Sequence, residues 1–245
     1  MVVVTIRREW KSFWPLFGNR RTLSFLALGA VLIAINWLIF IYAVINNQLL
    51  QASLGYFINP LLSVFLGMLF LHERLRRWQW LAVIIAGAAV VNMALRSTSL
   101  PWISVSLAVS FGFYGLVRKK VNIDSLHGLL VETIILLPPT LVVVLLPVGH
   151  AFPARTLGLL SLAGIVTAVP LFLFGEGLRR LKLSTMGFVQ YAGPTLQFLV
   201  AVVLFGEKLD TNKLISFGLC WLAIVVYAAD SIINQYPQEV ADEPE

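Results

Sequence analysis

Apolar residues fill the chain in eight long runs, each about as long as a membrane-spanning helix. A helix needs about 20 mostly apolar residues to cross a bilayer. The runs are continuous, whereas strands of a membrane β-barrel would alternate between apolar and polar residues. The pattern predicts an all-α integral membrane protein, a polytopic helical bundle. The predicted spans are residues 22–45, 50–71, 78–96, 101–117, 128–147, 156–177, 185–206 and 212–233.

Composition and charge agree with this class. The chain is 59% hydrophobic and 12% charged, whereas a soluble domain has about 25% charged residues. Of the 18 Lys and Arg residues, fourteen lie in the N-terminal segment and alternate loops, and the remaining four lie in the other loops. The positive-inside rule therefore predicts that the N-terminal segment and the acidic tail, residues 234–245, are cytoplasmic. The same distribution explains the positive net charge without a nucleic-acid partner.

Two apolar runs carry a proline in their interior, at Pro60 and Pro194, which are 134 residues apart (194 − 60 = 134). At the same offset, LHERL at 71–75 corresponds to FGEKL at 205–209, and Asn36 corresponds to Pro170. The corresponding runs are five spans apart, so they cross the membrane in opposite directions, as in the inverted repeats of transporters. We predict an incomplete first repeat at 1–96, a second repeat at 101–233, and helix kinks at these three prolines.

The offset also predicts what the first repeat lacks. The helices at 101–117 and 128–147 open the second repeat, and their counterparts would lie before residue 14. We therefore expect the first helix and most of the second to be missing from this chain. It would then have about eight transmembrane helices out of an expected ten, in two inverted five-helix repeats.

Polar side chains form a stripe in each proline-bearing run. Polar groups in hydrocarbon are costly unless they face a partner or a wet cavity, so the stripes predict a solute site. The alternative is interhelical hydrogen bonding that only holds the bundle together. Further candidates lie in the middle of the first span and at the end of a serine stripe in the fourth. The candidates from the residues are Asn36, Trp37, Tyr56, Asn59, Ser63, Tyr114, Gln190 and Gln197.

One acid stands out among the apolar runs. Glu132 is the only acid clearly within a run and without an adjacent base. Intramembrane carboxylates mark proton pathways by default, so Glu132 is a candidate for proton coupling, although it also lies near enough to the cytoplasmic end to reach the headgroups. Glu176 precedes Arg179 and Arg180 by three and four positions, which favours an ion pair on one helix face.

Other classes of site lack their motifs. The chain has no phosphate-binding loop, no zinc-protease motif and no cluster of cysteine and histidine. We therefore expect no cofactor, no metal and no catalytic residues. An enzyme is disfavoured because no nucleophile–base pair is recognisable.

Four stretches together resemble the RarD group of EamA-type transporters, in the drug/metabolite transporter superfamily. They are 34–47 (AINWLIFIYAVINN), 52–61 (ASLGYFINPL), 113–120 (FYGLVRKK) and 190–195 (QYAGPT). The resemblance implies a carrier of the bacterial inner (plasma) membrane with ten helices around a central cavity, and it adds Tyr191 to the site candidates. We expect a secondary transporter of a small organic solute, working by alternating access. The alternative is a membrane-embedded scaffold or regulatory subunit.

Overall fold

The computed structural model describes residues 13, 15–95, 102–121, 123–145, 154–203 and 211–234. Helix is the only regular secondary structure in these ranges. The helices are α1 (Pro15–Gly18), α2 (Arg20–Ile45), α3 (Leu49–Leu71), α4 (Arg77–Ala94), α5 (Trp102–Val121), α6 (Ser125–Leu145), α7 (Ala154–Arg180), α8 (Leu183–Val189), α9 (Ala192–Val203) and α10 (Thr211–Ile233).

The prediction of an all-α, multi-span membrane protein is confirmed. Within the described ranges, six helices are long and apolar enough to cross a bilayer, namely α2, α3, α4, α6, α7 and α10. The helix α5 carries serines and ends in three bases, which lower its hydropathy, and α8 and α9 are each too short. The total of eight spans therefore stays a prediction.

The seventh predicted span, 185–206, differs from the others because it is broken. The helix α8 ends at Val189 and α9 begins at Ala192. By contrast, α3 runs through Pro60 and α7 runs through Pro170 without interruption. Pro60 and Pro194 correspond to each other at the 134-residue offset. Of the two segments that contain them, only the one with Pro194 has a break between helices. Whether the prolines bend their helices stays a prediction.

The chain divides into two compact units, each drawn from both predicted repeats. The first unit comprises Met1–Trp37 and Phe113–Leu181, and the second comprises Leu38–Gly112 and Lys182–Glu245. The core of the first includes Phe13, Leu26 and Val131, all nearly inaccessible to solvent. Since the units interleave the two halves of the sequence, the repeat boundaries at 1–96 and 101–233 stay predictions.

In the second unit, α4 packs on α10 through two stripes of small residues. Interfaces between membrane helices favour small residues because they let the backbones approach closely. All six side chains are buried, and Asn92 Nδ2 adds a 2.8 Å hydrogen bond to Ser216 Oγ. The stripes are Ala82, Ala86 and Ala89 on α4, and Ser216, Cys220 and Ala223 on α10.

The helix starts of α3 and α8 are separated by the offset that the sequence suggested, since Leu183 lies 134 residues after Leu49 (183 − 49 = 134). The two buried stripes between α4 and α10 obey the same offset, since Ala82 corresponds to Ser216. Corresponding helices therefore pack against each other in this unit.

Candidate functional site

A hydrogen bond between two amide side chains joins the two predicted polar stripes. Asn59, in the middle of α3, donates from Nδ2 to Oε1 of Gln190, the residue after α8. Asn59 is buried and Gln190 is half-buried. The structure thus brings together two of the predicted site residues that are far apart in sequence.

A glycine explains how α3 and α8 come close enough for this bond. A Cβ added at Gly187 would lie 2.7 Å from the carbonyl oxygen of Pro60 and 3.1 Å from Cβ of Ser63. Real Cβ atoms do not approach a backbone oxygen so closely. The absence of a side chain at Gly187 therefore lets the α8 backbone lie on α3 beside Pro60, and Gln190 follows one turn later.

The break after α8 is stabilised by local hydrogen bonds. Pro194 lies in the first turn of α9, where a proline does not remove a helical hydrogen bond. The Gln190 carbonyl, which receives no amide from Pro194, accepts a hydrogen bond of 3.1 Å from Gly193 N. The carbonyl of Gln190 therefore keeps a hydrogen-bond partner at the break.

Three other predicted residues lie on the same two segments, in different environments. Tyr191 is fully buried, and its hydroxyl donates to the carbonyl of Phe57 at 3.3 Å. Tyr56 is 37% exposed, with its ring 6.2 Å from that of Phe40. Ser63 is buried beside Gly187. Their roles in binding stay predictions, and the side chain of Gln197 lies outside the described part of the chain.

A charged cluster occupies the first unit. Glu132 Oε1 lies 3.5 Å from Arg118 Nη1, and the Tyr114 hydroxyl donates to Glu132 Oε2 at 3.2 Å. Arg118 Nη2 also donates to the carbonyl of Ser125 at 3.2 Å. The Tyr114 ring stacks on Phe174 with an interplanar angle of 15°. All three polar side chains of the cluster are buried.

Glu132 has no base beside it in the sequence, but the fold supplies one. Arg118 is 14 residues earlier in the sequence, and the tight connection between α5 and α6 brings the two side chains side by side. The positive-inside rule counts Arg118, together with Lys119 and Lys120, among the bases that set the membrane topology. The signal that pointed to it was the spacing, because Tyr114 and Arg118 lie one turn apart on α5.

Glycines on three helices make room for the cluster. A Cβ at Gly29 of α2 would lie 2.9 Å from Glu132 Oε1. A Cβ at Gly128 of α6 would lie 1.8 Å from Arg118 Nη1, and one at Gly175 of α7 would lie 3.0 Å from Arg118 Nη2. No sequence rule singled out these glycines, since their role appears only when the helices pack.

The remaining candidates lie in the first unit. Asn36 is buried in α2, and the next residue, Trp37, is 40% exposed. Adjacent residues of a helix point in different directions, so the two side chains do not share an environment. The predicted ion pairs of Glu176 are confirmed, at 3.0 Å to Arg179 and 3.6 Å to Arg180.

Glu73 has a contact that the sequence did not suggest. The helix α3 ends at Leu71, and the next residue, His72, has a left-handed backbone (φ 54°) that turns the chain. The Glu73 carboxylate then accepts hydrogen bonds from Leu183 N at 2.7 Å and Ser184 N at 3.0 Å, at the start of α8. A carboxylate at a helix N-terminus satisfies amides that have no partner within the helix. Glu73 thus ties the end of α3 to the start of α8.

Comparison with known proteins gives consistent matches. The model of the EamA-like transporter family matches residues 1–95 and 100–229. Protein RarD of Salmonella typhimurium is 45% identical over 241 residues, covering 96% of this chain and 82% of that protein. An uncharacterized transporter of Pseudomonas aeruginosa is 47% identical over 231 residues, covering 91% of this chain and 78% of that protein. A crystal structure of a protein with 18% identity has a TM-score of 0.56 and covers 84% of this chain and 86% of its own, which shows a shared fold.

Proposed function

Because the chain belongs to the EamA-like transporter family, we propose that it is a secondary transporter of a small organic solute. It is a multi-pass membrane protein of a bacterial transporter family. We place the proposed carrier in the inner (plasma) membrane, with its C-terminus in the cytoplasm. The solute would bind near the midplane and be released to alternate sides as one inverted repeat rocks against the other.

Three observations support the inverted repeat. The family model matches two stretches, 1–95 and 100–229, whose boundary lies where the sequence suggested it. The helices α3 and α8 start 134 residues apart (183 − 49 = 134). In addition, Tyr191 bonds to Phe57, which is the corresponding residue 134 positions earlier. Corresponding residues touch each other only near an axis that relates the two copies.

The observation that carries the solute site is the bond between Asn59 and Gln190. Both residues belong to the polar stripes of proline-bearing segments, the kind of segment that forms substrate sites in inverted-repeat transporters. Tyr56 and Ser63 belong to the same stripe as Asn59, Tyr191 follows Gln190 in the sequence, and all three carry uncharged hydroxyl groups. Such a site suits a neutral or zwitterionic solute that is partly apolar.

Glu132 is the proposed residue for coupling to protons. Protonation of Glu132 removes the negative charge that compensates Arg118, and an uncompensated buried cation is costly. The cluster therefore has two arrangements, one with the ion pair and one without, and a proton selects between them. A two-state element of this kind is what coupling to a second equilibrium requires.

The test is transport by the full chain in proteoliposomes with an imposed pH gradient. Labelled phenylalanine serves as a zwitterionic probe and labelled uridine as a neutral probe. We expect at least one probe to accumulate faster than in protein-free liposomes. Glu132→Gln is expected to retain exchange of internal for external probe but to lose accumulation driven by the gradient, because exchange needs no net proton movement.

The contrary outcomes are distinct. If a broader set of neutral and zwitterionic solutes also fails to move or to raise the melting temperature, a scaffold or regulatory subunit replaces the transporter, because a scaffold has no solute to stabilise it. If Glu132→Gln accumulates the probe as well as the unmodified chain, the coupling role of Glu132 is lost and the transport proposal remains.

A further inference from the structure

Two polar atoms of the amide pair have no hydrogen-bond partner among the described residues. They are Oδ1 of Asn59 and Nε2 of Gln190, and both are shielded from solvent. The other two polar atoms of the pair are joined to each other. Buried polar atoms nearly always have a partner, and one left without a partner calls for an explanation.

The two atoms form a complementary set, with one hydrogen-bond acceptor and one donor. This result does not depend on how each amide is oriented, although the oxygen and nitrogen of an amide are nearly indistinguishable by shape. If both amides are rotated, Asn59 Oδ1 accepts from Gln190 Nε2, and the atoms left over are again one donor and one acceptor. The pair therefore offers a donor beside an acceptor in either orientation.

We propose that the solute carries a hydrogen-bond donor and an acceptor side by side, and that this edge binds the free acceptor of Asn59 and the free donor of Gln190. This assignment rests on the proposed transport function and specifies its solute class. Primary carboxamides, lactams, ureas and nucleobases have such an edge. Each would satisfy both atoms at once, as paired amides do for each other.

The charge of the surroundings excludes ionic groups as the preferred ligand. Neither Asn59 nor Gln190 is ionised, and Gly187, Tyr191 and Tyr56 contact uncharged groups. A carboxylate or an ammonium group would lose its hydration there without gaining a counter-charge. A neutral amide-type edge loses much less.

The partly exposed side chain of Tyr56 would contact the part of the solute that lies beyond its amide edge. Tyr56 lies one turn before Asn59 on the same face of α3, and 37% of its surface is accessible. An aromatic ring beside a hydrogen-bonding pair favours a solute with a flat apolar body next to its amide edge. The site would therefore select for shape through Tyr56 and for hydrogen bonding through the amide pair.

Binding of four matched probes to the full chain in detergent micelles tests the assignment. Nicotinamide has the donor and the acceptor, and N,N-dimethylnicotinamide has only the acceptor. Nicotinate carries a negative charge in place of the amide, and 3-(aminomethyl)pyridine carries a positive one. Saturation-transfer NMR, with empty micelles as background, measures the dissociation constants. We expect nicotinamide to bind roughly tenfold more tightly than each of the other three, from the loss of one or two neutral hydrogen bonds.

A variant pair locates the binding. Gln190→Met keeps the length of the side chain and removes its donor. Because that hydrogen bond is lost, we expect nicotinamide and its dimethyl analogue to bind about equally tightly to this variant. Asn92→Leu is the control, because Asn92 makes an interhelical bond to Ser216 in the same unit and lies away from the pair. This control is expected to keep the full preference.

Each outcome has one meaning. Equal binding of all four probes overturns the assignment, and the atoms would then bind water only; this arm needs no variant and stands even if Gln190→Met fails to fold. A preference that survives in a folded Gln190→Met chain overturns the location. Selective binding without transport removes the proposed function and keeps the amide-edge site. Transport without probe selectivity removes the amide-edge site and keeps the proposed transport function.

Discussion

The amide pair of the second unit and the charged cluster of the first are both polar groups buried in apolar helices, yet they are built differently. Asn59 and Gln190 share one hydrogen bond and retain an unused donor and an unused acceptor. Glu132, by contrast, has both a guanidinium and a phenol within 3.5 Å. Glycines of three helices lie against the charged cluster, whereas a single glycine, Gly187, allows α8 to pack closely on α3 near the amide pair.

The difference follows from the cost of burying charge. An ionised group in a medium of low dielectric constant must be paired, because the penalty for leaving it alone is several kcal/mol. A neutral amide loses only about 1–3 kcal/mol for an unmade hydrogen bond. An incomplete amide pair therefore costs the protein less than a charged Glu132 or Arg118 without its partner would.

The largest expected effect comes from closing the glycine wall of the cluster. In Gly128→Ala the new Cβ would lie 1.8 Å from Arg118 Nη1, so Arg118 must leave Glu132. Breaking a buried ion pair costs about 3–5 kcal/mol, and we expect a large fall in the melting temperature of the purified chain. Gly158→Ala is the control, since no atom lies within 4 Å of its Cβ. Equal melting temperatures of the two variants would show that the Arg118 side chain can move without a cost in stability.

A smaller effect is expected where α8 lies on α3. In Gly187→Ala the Cβ would lie 2.7 Å from the Pro60 carbonyl, and the two helices must move apart. Overpacking of this kind costs about 1–3 kcal/mol, and it would also lengthen the bond between Asn59 and Gln190. Thermal unfolding measures the cost, with Gly218→Ala as the matched substitution, because its Cβ has no neighbour within 4 Å. An unchanged stability would mean that the contact with Pro60 is loose.

The smallest effect on stability is expected from the amide pair itself. Asn59→Leu removes one hydrogen bond and an unsatisfied oxygen but leaves Gln190 Oε1 without its donor, so the free energy of unfolding should fall by about 1 kcal/mol. Asn92→Leu removes the bond to Ser216 and should cost a similar amount. The two variants should differ in the rise of melting temperature caused by a transported solute, which we expect Asn59→Leu to lose and Asn92→Leu to keep. Equal rises would place Asn59 among the residues that only hold the bundle together.

Much of the helical framework could be predicted because the bilayer imposes it. The predicted start of each span lies within three residues of a helix start, for example 50 against Leu49 and 212 against Thr211. Apolar runs of the length of a bilayer have no other stable structure, since backbone amides in hydrocarbon must bond within the segment. The break between α8 and α9 lies beside Pro194, whereas α3 continues through Pro60, and the kink predicted there stays a prediction.

The pairing of side chains could not be predicted in the same way. Asn59 and Gln190 were recognisable as polar residues in apolar runs, but their mutual bond depends on the close approach at Gly187. Arg118 read as one of three adjacent bases that set topology, and its burial against Glu132 depends on the rotation of α5 relative to α6. The periodicity of polar residues shows which of them share one face of a helix, but it does not show which face of another helix packs against them.

The sequence by itself determined the class of protein, the approximate helices, the offset of 134 residues between corresponding segments and the family to which the chain belongs. These properties depend on the length and order of apolar runs, which are local. Only the tertiary structure decided that Glu132 is paired with Arg118, that Glu73 caps α8, and that Asn59 and Gln190 meet with a donor and an acceptor to spare. Such contacts join residues from different helices, and glycines that admit or exclude a neighbouring side chain by tenths of an ångström decide them.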